Sequence, residues 1–416
     1  FLNKDCKLLC NKIPVDRNMS EDIYRDIAQA YSAAAEKAPG LKSRFAAAGF
    51  DPAAVRSLAD LSGLPVMKKE DLLKIQRENP PFGGFLASDL KDVARIYVSP
   101  GPIFEPALAG GGGHGLDLLF KAAEVGAGDI ILNTWMYHLV PAGLLFDEAA
   151  QAAGATVIPG GVGNTELQAQ IIVETGVTSI CASTAFFLTL ADKVIETYGR
   201  DAWKVKTAFL GGEMGDWMAK RRRIEAEYGV STWAAYATAD LGLVGYEDGG
   251  EGYVVHPDRV VQICDPVSGA QVDHGEPGEV VVTARDATWP MIRFGTGDSA
   301  FALESNKDGS VKRISALQGR VGAAVKVREI FVYPRVIEEV VIATPGASAA
   351  QAVVTRDNDR DMVKISLVLE DGADVSTAET AAAEAFKLHS RIRADAVSVI
   401  SELPENADLI VNQKDN

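Results

Sequence analysis

The segment from Thr288 to Glu339 constrains the fold of this chain more than any other stretch. Its first part, TWPMIRFGTGDSA at 288–300, is an apolar run that ends in two glycines around Thr296, followed by Asp298. Glycine tolerates positive φ and lets the backbone approach a ligand closely. A strand that ends in this way can therefore present the Asp298 carboxylate to the hydroxyl groups of a ligand.

The second part of the segment follows a polar insertion and begins with Gly319-Arg320. Apolar and polar residues then alternate in AVKVREIFVYP at 324–334, and alternation over this length predicts a pair of strands. Pro334 suits the first turn of a helix, where its missing N–H group would have no intrahelical partner in any case. We therefore expect a helix over residues 334–343.

Helical and strand patterns alternate between residues 116 and 300. The helical pattern LDLLFKAAEVGA at 116–127, for example, precedes the apolar strand DIILNT. This rhythm predicts a largely parallel sheet with helices on both faces, whose ligands bind at the carboxyl ends of the strands. Residues 253–287 instead combine alternation with turns at PVSG and HGEPGE, which predicts antiparallel β structure. After Arg320 a small α+β unit with a helix over 376–394 is expected.

Four motifs of this segment, taken in order, resemble those of the adenylate-forming superfamily, and more closely those of its phenylacetate–CoA ligase branch. They are Arg-Phe-Gly-Thr-Gly-Asp, Gly-Arg, Val-Lys-Val-Arg and Phe-Val-Tyr-Pro. Leu-Pro-Val-x-Lys-Lys-x-Asp-Leu at 64–72 is similar as well. The resemblance covers nearly the whole chain, from about residue 20 to 411. It implies an α/β fold: a large N-terminal adenylate- and acyl-binding domain (1–319) with mostly parallel sheets flanked by helices plus a β-rich subdomain, and a small mobile α+β C-terminal lid domain (320–416).

The resemblance also implies a nucleotide site for ATP and AMP. Asp298 would bind the ribose hydroxyls, Tyr236 would stack on adenine, and Arg320 would act at the hinge and the phosphate side. Asp240 matches the acid that holds Mg²⁺, and with Arg320 it is a candidate catalytic residue. Further nucleotide contacts are expected from the phosphate loop, a Gly-Ala-Glu-like segment and the segment around Tyr236: Ser99, Gly101, Gly212, Glu213, Ala235, Ala237 and Thr238.

The acyl pocket and the coenzyme A side are implied by the same resemblance. The pocket residues are Tyr137, His138, Phe186 and Gly211, and the residues on the coenzyme A side are Lys326 and Arg328. His138 is either a general base or a residue of the pocket wall. The expected ligands are therefore a small carboxylic acid, ATP with Mg²⁺, and coenzyme A.

Four positions depart from the family pattern. Glu105 replaces the lysine of the phosphate loop, so its carboxylate must point away from a triphosphate or be paired with Mg²⁺ or another cation. Asp240 is one carbon shorter than the usual glutamate, and Glu329 replaces a glycine. Asp408 stands where the catalytic lysine is expected, and losing such a donor costs about 3–4 kcal/mol. Lys414, six residues further on, is a conceivable substitute.

Three functions remain open from the sequence. The first is an AMP-forming acid–CoA ligase for an aryl or arylacetic acid. The second is a degenerate relative that binds nucleotide or acyl-CoA without adenylating, which the four departures favour. The third is transfer of AMP to another acceptor, such as a cofactor hydroxyl.

The composition excludes some classes of partner. A net charge of −16 argues against nucleic acid, and no apolar run is long enough to span a bilayer. Four scattered cysteines (Cys6, Cys10, Cys181 and Cys264) and the absence of a signal-like start favour the cytoplasm. His256 and Cys264 alone do not make a zinc site, so no structural zinc is expected. A homodimer is possible.

Overall fold

The computed structural model describes residues 19–99, 102–108, 115–211, 217–276, 278–317, 319–321, 325–328, 330–332, 334–357, 360–404 and 407–414. Its α-helices are Met19–Lys37 (α1), Pro39–Ala48 (α2), Leu58–Ser62 (α3), Lys69–Glu78 (α4), Asp117–Ala122 (α5), Ala142–Ala152 (α6), Thr165–Thr175 (α7), Thr184–Tyr198 (α8), Trp217–Tyr228 (α9), Pro334–Ala343 (α10) and Val375–Ser390 (α11).

Its strands are Met67–Lys68 (β1), Val93–Ser99 (β2), Ile103–Leu108 (β3), Ile130–Asn133 (β4), Thr156–Pro159 (β5), Ser179–Ser183 (β6), Thr207–Gly211 (β7), Ser231–Trp233 (β8), Ala235–Thr238 (β9), Gly242–Tyr246 (β10), Tyr253–Val255 (β11), Arg259–Cys264 (β12), Gly278–Ala284 (β13), Phe294–Ala300 (β14), Ala302–Ser305 (β15), Val311–Ile314 (β16), Gly319–Arg320 (β17), Val325–Val327 (β18), Ile330–Val332 (β19), Ala347–Asp357 (β20), Arg360–Leu369 (β21), Ala396–Val399 (β22) and Ile410–Gln413 (β23).

One sheet is fully parallel, with the strand order β5-β4-β6-β7-β8. Successive side chains of a strand point to opposite faces, and the two faces are apolar here. Ile180 and Leu210 pack on one face with residues of α7 and α8. Cys181 and Phe209 pack on the other face with residues of α5 and α6. The predicted parallel sheet with helices on both faces is confirmed.

The β-rich part contains two larger sheets and a hairpin. One sheet has the order β1-β14-β13-β12, with β17 added to β14, and the other has the order β15-β16-β11-β10-β9. Strands β12 and β13 are antiparallel, as are β10 and β11, so the antiparallel prediction for 253–287 is confirmed. Strands β2 and β3 form a separate antiparallel hairpin. The site described below takes its residues from strands of both sheets and of the hairpin, and from the segments that follow them.

The C-terminal part has its own hydrophobic core, built from buried residues between Val325 and Ile410. The strand pair predicted for 324–334 is the hairpin β18–β19, and α10 begins at Pro334 as predicted. A four-stranded sheet, β22-β21-β20-β23, completes this part. A separate core supports the domain boundary at 319/320, which stays a prediction.

Two helices end earlier than the sequence pattern suggested. Helix α5 ends at Ala122, because Glu124 has a φ of 55° and cannot continue a right-handed helix. Helix α11 ends at Ser390, because Arg391 has a φ of 64°. Single residues in the left-handed conformation are common where helices end. When such a residue is not glycine, the sequence gives little indication that the helix ends there.

No helix in the described ranges combines the length and the apolar character needed to cross a membrane.

Candidate active site

Asp298 lies where β14 pairs with β17, directly opposite Arg320. The Asp298 side chain is buried, and both of its carboxylate oxygens accept hydrogen bonds. Oδ1 accepts from Arg320 Nη1 at 2.7 Å, and Oδ2 accepts from the Tyr236 hydroxyl at 2.9 Å. Each carboxylate oxygen has about two acceptor positions, so hydroxyl groups of a ligand could still bind Asp298. Three residues that the sequence analysis selected from distant segments thus form one cluster.

Gly297 allows the guanidinium of Arg320 to reach this cluster. It has a φ of 72°, which side chains of L-residues rarely adopt. A Cβ atom at this position would lie 2.8 Å from Arg320 Nη2. The glycine is therefore needed both for the backbone conformation and for the close approach of Arg320 to Asp298.

Tyr236 is buried on β9, where its ring centroid lies 6.2 Å from that of Tyr253. Burial and the neighbouring Asp298 raise the pKa of the Tyr236 hydroxyl well above its usual value. The hydroxyl is therefore a neutral donor that holds the Asp298 carboxylate. Its predicted stacking on adenine stays a prediction, as do the nucleotide contacts of Ala235 and Ala237 on the same strand.

Asp240 lies in the turn between β9 and β10, and its Oδ2 accepts a hydrogen bond from Lys69 Nζ at 2.7 Å. Lys69 is the first residue of α4 and follows β1, which pairs in parallel with β14 in the register Lys68↔Gly295. The strand that carries Asp298 therefore also positions Lys69. The sequence analysis gave Lys69 no role, although the pattern at 64–72 contains it.

Glu105, which stands where the resemblance leads one to expect a lysine, is turned into the protein. Both Glu105 and Ser99 are 2% exposed, and Ser99 Oγ lies 2.6 and 2.7 Å from the two carboxylate oxygens of Glu105. Burial is the largest cause that raises the pKa of the Glu105 carboxyl well above its usual value, and the nearby Asp240 is the second. The positive charge of Lys69 opposes this shift. The expected pairing of Glu105 with a cation thus has a candidate partner, the ammonium group of Lys69.

The residues around Asp240 fit a magnesium ion. Asp240 Oδ1 and Thr238 Oγ1 are both buried, and neither has a hydrogen-bond partner among the described residues. A buried oxygen without a donor costs free energy unless a ligand satisfies it. Carboxylate and other oxygen ligands are the ones that Mg²⁺ prefers.

The predicted pocket residues lie at the carboxyl ends of the parallel strands. Phe186, on the first turn of α8, is half-buried and follows Ser183, which pairs with Gly211 on the neighbouring strand. His138 is exposed, and the Tyr137 hydroxyl donates to Asp147 Oδ2 at 2.7 Å. Phe186 therefore lies three residues beyond the strand position that pairs with Gly211, while Tyr137 is engaged by helix α6.

Trp135 lies beside the predicted pocket residue Gly211, and the sequence analysis did not select it. A Cβ atom at Gly211 would lie 3.2 Å from Cζ2 of Trp135, so the indole ring lies against this glycine. On its other side the indole packs against Phe146, with ring centroids 5.8 Å apart. The available signal was its place directly after the end of β4, two residues before Tyr137.

Arg328 is bound by other residues of the C-terminal part. Its side chain donates to the backbone oxygens of Asp361 and Arg393 and pairs with Asp395. Lys414 is also engaged, with Nζ 2.8 Å from Asp361 Oδ2, while Asp408 is exposed. The predicted role of Arg328 towards coenzyme A stays a prediction, and Lys414 acts here as a structural partner of Asp361.

Several predicted positions cannot be placed. Gly101, Gly212 and Glu213 lie outside the described residues, as does Glu329, and nothing is described for the side chain of Lys326. Within the described ranges, no group of three or more His, Cys, Asp or Glu side chains could hold a metal ion. Cys181 and Cys264 are buried free thiols.

Comparison with known proteins identifies relatives of one kind. No family model matches the chain. The phenylacetate-coenzyme A ligase of Aromatoleum evansii is 29% identical over 351 residues, which cover 80% of this chain and 78% of that protein. The phenylacetate-coenzyme A ligase of Escherichia coli K12 is 27% identical over 375 residues, covering 86% and 84% of the two chains.

A solved structure has the same fold. The crystal structure of 2-hydroxyisobutyryl-CoA ligase in complex with 2-HIB-AMP and CoA superposes with a TM-score of 0.85 at 20% identity. The match covers 95% of this chain and 90% of that chain. The chain is therefore similar in sequence to phenylacetate-coenzyme A ligases and has the fold of an acyl-CoA ligase, in agreement with the resemblance that its motifs show.

Proposed function

We propose that this chain is an AMP-forming carboxylate–CoA ligase that activates an aryl or arylacetic acid. In the first step a carboxylate oxygen of the acid attacks the α-phosphorus of ATP, and pyrophosphate leaves. In the second step the sulfur of coenzyme A attacks the acyl carbon, the thiol proton is lost, and AMP leaves with the electrons of the broken C–O bond.

The observation that carries this proposal is the cluster of Asp298, Arg320 and Tyr236. Arg320 and Tyr236 fix the Asp298 carboxylate in one orientation, so little reorganisation is needed when it accepts the ribose hydroxyls. Arg320 then offers positive charge on the phosphate side of the same ribose. A fixed acceptor for the ribose and a nearby cation for the phosphate are the two features that we assign to adenylation.

Asp240 would hold the magnesium ion that accompanies ATP, and the ion would neutralise charge on the phosphates. Lys69 lies next to Asp240 and brings a second positive charge to this end of the site. Lys69 and Arg320 are the cations that we assign to stabilising the phosphate oxygens, because their partners Asp240 and Asp298 belong to the same proposed site.

The nature of the acid follows from Trp135 and from the relatives. The half-buried indole of Trp135 lies against Gly211, a predicted pocket residue, and aromatic side chains favour aromatic neighbours. Two relatives named phenylacetate-coenzyme A ligase support the same class of acid. The alternative of a relative that binds nucleotide without adenylating is not favoured by these ligases.

The test is to incubate the protein with Mg-ATP, hydroxylamine and a panel of aryl and arylacetic acids. We expect acid-dependent release of pyrophosphate together with formation of the hydroxamate, because hydroxylamine traps an acyl-adenylate. Binding of nucleotide by calorimetry without pyrophosphate release for any acid would reject the ligase and favour the non-catalytic alternative.

A homodimer and a cytoplasmic location complete the proposal. Light scattering of the purified protein tests the first, because a mass near 44 kDa would reject the dimer. Fractionation of the source cells tests the second.

A further inference from the structure

We propose that Glu105 and Asp240 together form the divalent-cation site of this chain. The ion that accompanies the nucleotide would then supply the positive charge for which the family resemblance leads one to expect a lysine at position 105. This inference rests on the proposed function in one respect: it assumes that the ligand is a complex of a metal ion with a nucleotide.

The two carboxyl groups lie side by side in a buried position. Glu105 is 2% exposed and Asp240 is 4% exposed, and the two side chains interact directly. Both line one cavity of about 30 Å³, which is large enough for about two water molecules. Arg259 also lines this cavity, but Asp286 in the same lining offsets its charge.

An unsatisfied oxygen provides the second, independent observation. Asp240 Oδ2 is occupied by the ammonium group of Lys69, whereas the buried Oδ1 has no hydrogen-bond partner among the described residues. If both carboxyl groups were ionised, one negative charge would exceed the single ammonium group in this buried site. Burying such a charge is unfavourable unless a proton or a cation compensates it.

The ligand chemistry agrees with a magnesium ion. Mg²⁺ is usually bound by one or two carboxylates, several waters and the phosphates of a substrate, rather than by a full protein cage. The hydroxyl of Ser99, close to both oxygens of Glu105, holds this carboxylate in place. Asp240 is shorter than the glutamate of the family pattern, and the added carboxylate at position 105 compensates for its shorter reach.

The test measures metal binding directly, without any acid substrate. Free Mn²⁺ is titrated by electron paramagnetic resonance into the protein, alone and with α,β-methylene-ATP. We expect Glu105→Gln and Asp240→Asn each to weaken Mn²⁺ binding at least about tenfold, since even partners outside the ligand sphere contribute 10–100-fold. Asp286→Asn is the matched control, because Asp286 lines the same cavity but is not a proposed ligand.

Unchanged Mn²⁺ affinity in Glu105→Gln would overturn the proposal, and so would equal weakening in Glu105→Gln and Asp286→Asn. If Glu105→Gln fails to fold, Glu105→Lys provides the second variant. It should lose at least tenfold in Mn²⁺ affinity but still bind AMP, and retention of the wild-type Mn²⁺ affinity would contradict the assignment. The metal-binding measurement contains no acid substrate. Its result can therefore be interpreted even if the protein has no ligase activity.

Discussion

At the scale of single residues, the site depends on how the Asp298 carboxylate is held. Its two oxygens receive one hydrogen bond from a cation and one from a neutral hydroxyl, and both donors are anchored in different strands. A carboxylate that is fixed in this way can recognise a pair of ribose hydroxyls at low entropic cost. The Tyr236 hydroxyl can be removed by substitution with phenylalanine, which keeps the buried ring in the core.

Tyr236→Phe should weaken AMP binding by about 1.5 kcal/mol, slightly more than tenfold, because a hydrogen bond to a charged group is lost. Isothermal titration calorimetry with AMP measures the effect. Tyr253→Phe is the matched control, because Tyr253 is the neighbouring buried tyrosine and makes no described contact with Asp298. Equal losses in the two variants would show that Tyr236 does not act through Asp298.

Arg293 illustrates a buried cation with a structural role. Its guanidinium donates to the backbone oxygens of Ser62, Leu64 and Gly269, and so ties the segment before β1 to the sheet of β14. Arg293→Met should lower the free energy of unfolding by about 3 kcal/mol or more, since each buried acceptor left without a donor costs about 1–3 kcal/mol.

Urea denaturation measures this loss, and Lys312→Met is the control. Lys312 is an exposed residue paired with Glu304, so its replacement should cost less than about 1 kcal/mol. A loss for Arg293→Met as small as that for Lys312→Met would contradict the structural role.

At the scale of elements, pairing of β14 with β1 and β17 assembles the site. Strand β1 brings Lys69 to Asp240, and strand β17 brings Arg320 to Asp298. The glycines of β14 make these close approaches possible, so a side chain there should displace the functional groups rather than unfold the strand.

Gly297→Ala should weaken AMP binding more than it lowers stability. The new Cβ would meet the Arg320 guanidinium at 2.8 Å and push it away from Asp298, while the positive φ adds about 1–2 kcal/mol of strain. Gly309→Ala is the control, because Gly309 also has a positive φ but its Cβ would make only ordinary contacts. Calorimetry should give a lower AMP affinity for Gly297→Ala than for Gly309→Ala. Equal affinities in the two variants would reject the proposed role of Gly297.

At the scale of the whole molecule, stability should depend on pH through His256. Burial, followed by the nearby Arg259, lowers the pKa of His256 from 6.5 to about 4. The unfolded chain, with the ordinary pKa, therefore takes up the proton first as the pH falls. The stabilisation is complete above about pH 6.5 and is lost progressively between pH 6.5 and 4, by about 3 kcal/mol in all.

The comparison of the wild type with His256→Asn measures this term, because asparagine does not titrate and can still accept the hydrogen bond that Nδ1 accepts from the Asp258 N–H. In urea unfolding at pH 7, 5.5 and 4.5, the free energy of unfolding should fall more steeply with decreasing pH in the wild type than in His256→Asn. Parallel pH profiles would contradict the assignment.

Much of this organisation could be predicted from the sequence, because periodicity and glycine placement are local signals. The helix at Pro334, the hairpin before it and the parallel sheet are of this kind. The inward turn of Glu105 and the pairing of Lys69 with Asp240 depend on contacts between segments far apart in the chain, which no local pattern records. Trp135 was missed for the same reason, since only the register of β6 and β7 and the packing above them show which aromatic ring lies against Gly211.

The central claim is that the Asp298 cluster serves adenylation of a carboxylic acid. Acid-dependent exchange of labelled pyrophosphate into ATP measures that step without coenzyme A. The account predicts exchange in the wild type with at least one aryl or arylacetic acid, and loss of both exchange and nucleotide binding in Asp298→Ala. Exchange in Asp298→Ala at the wild-type rate would contradict it.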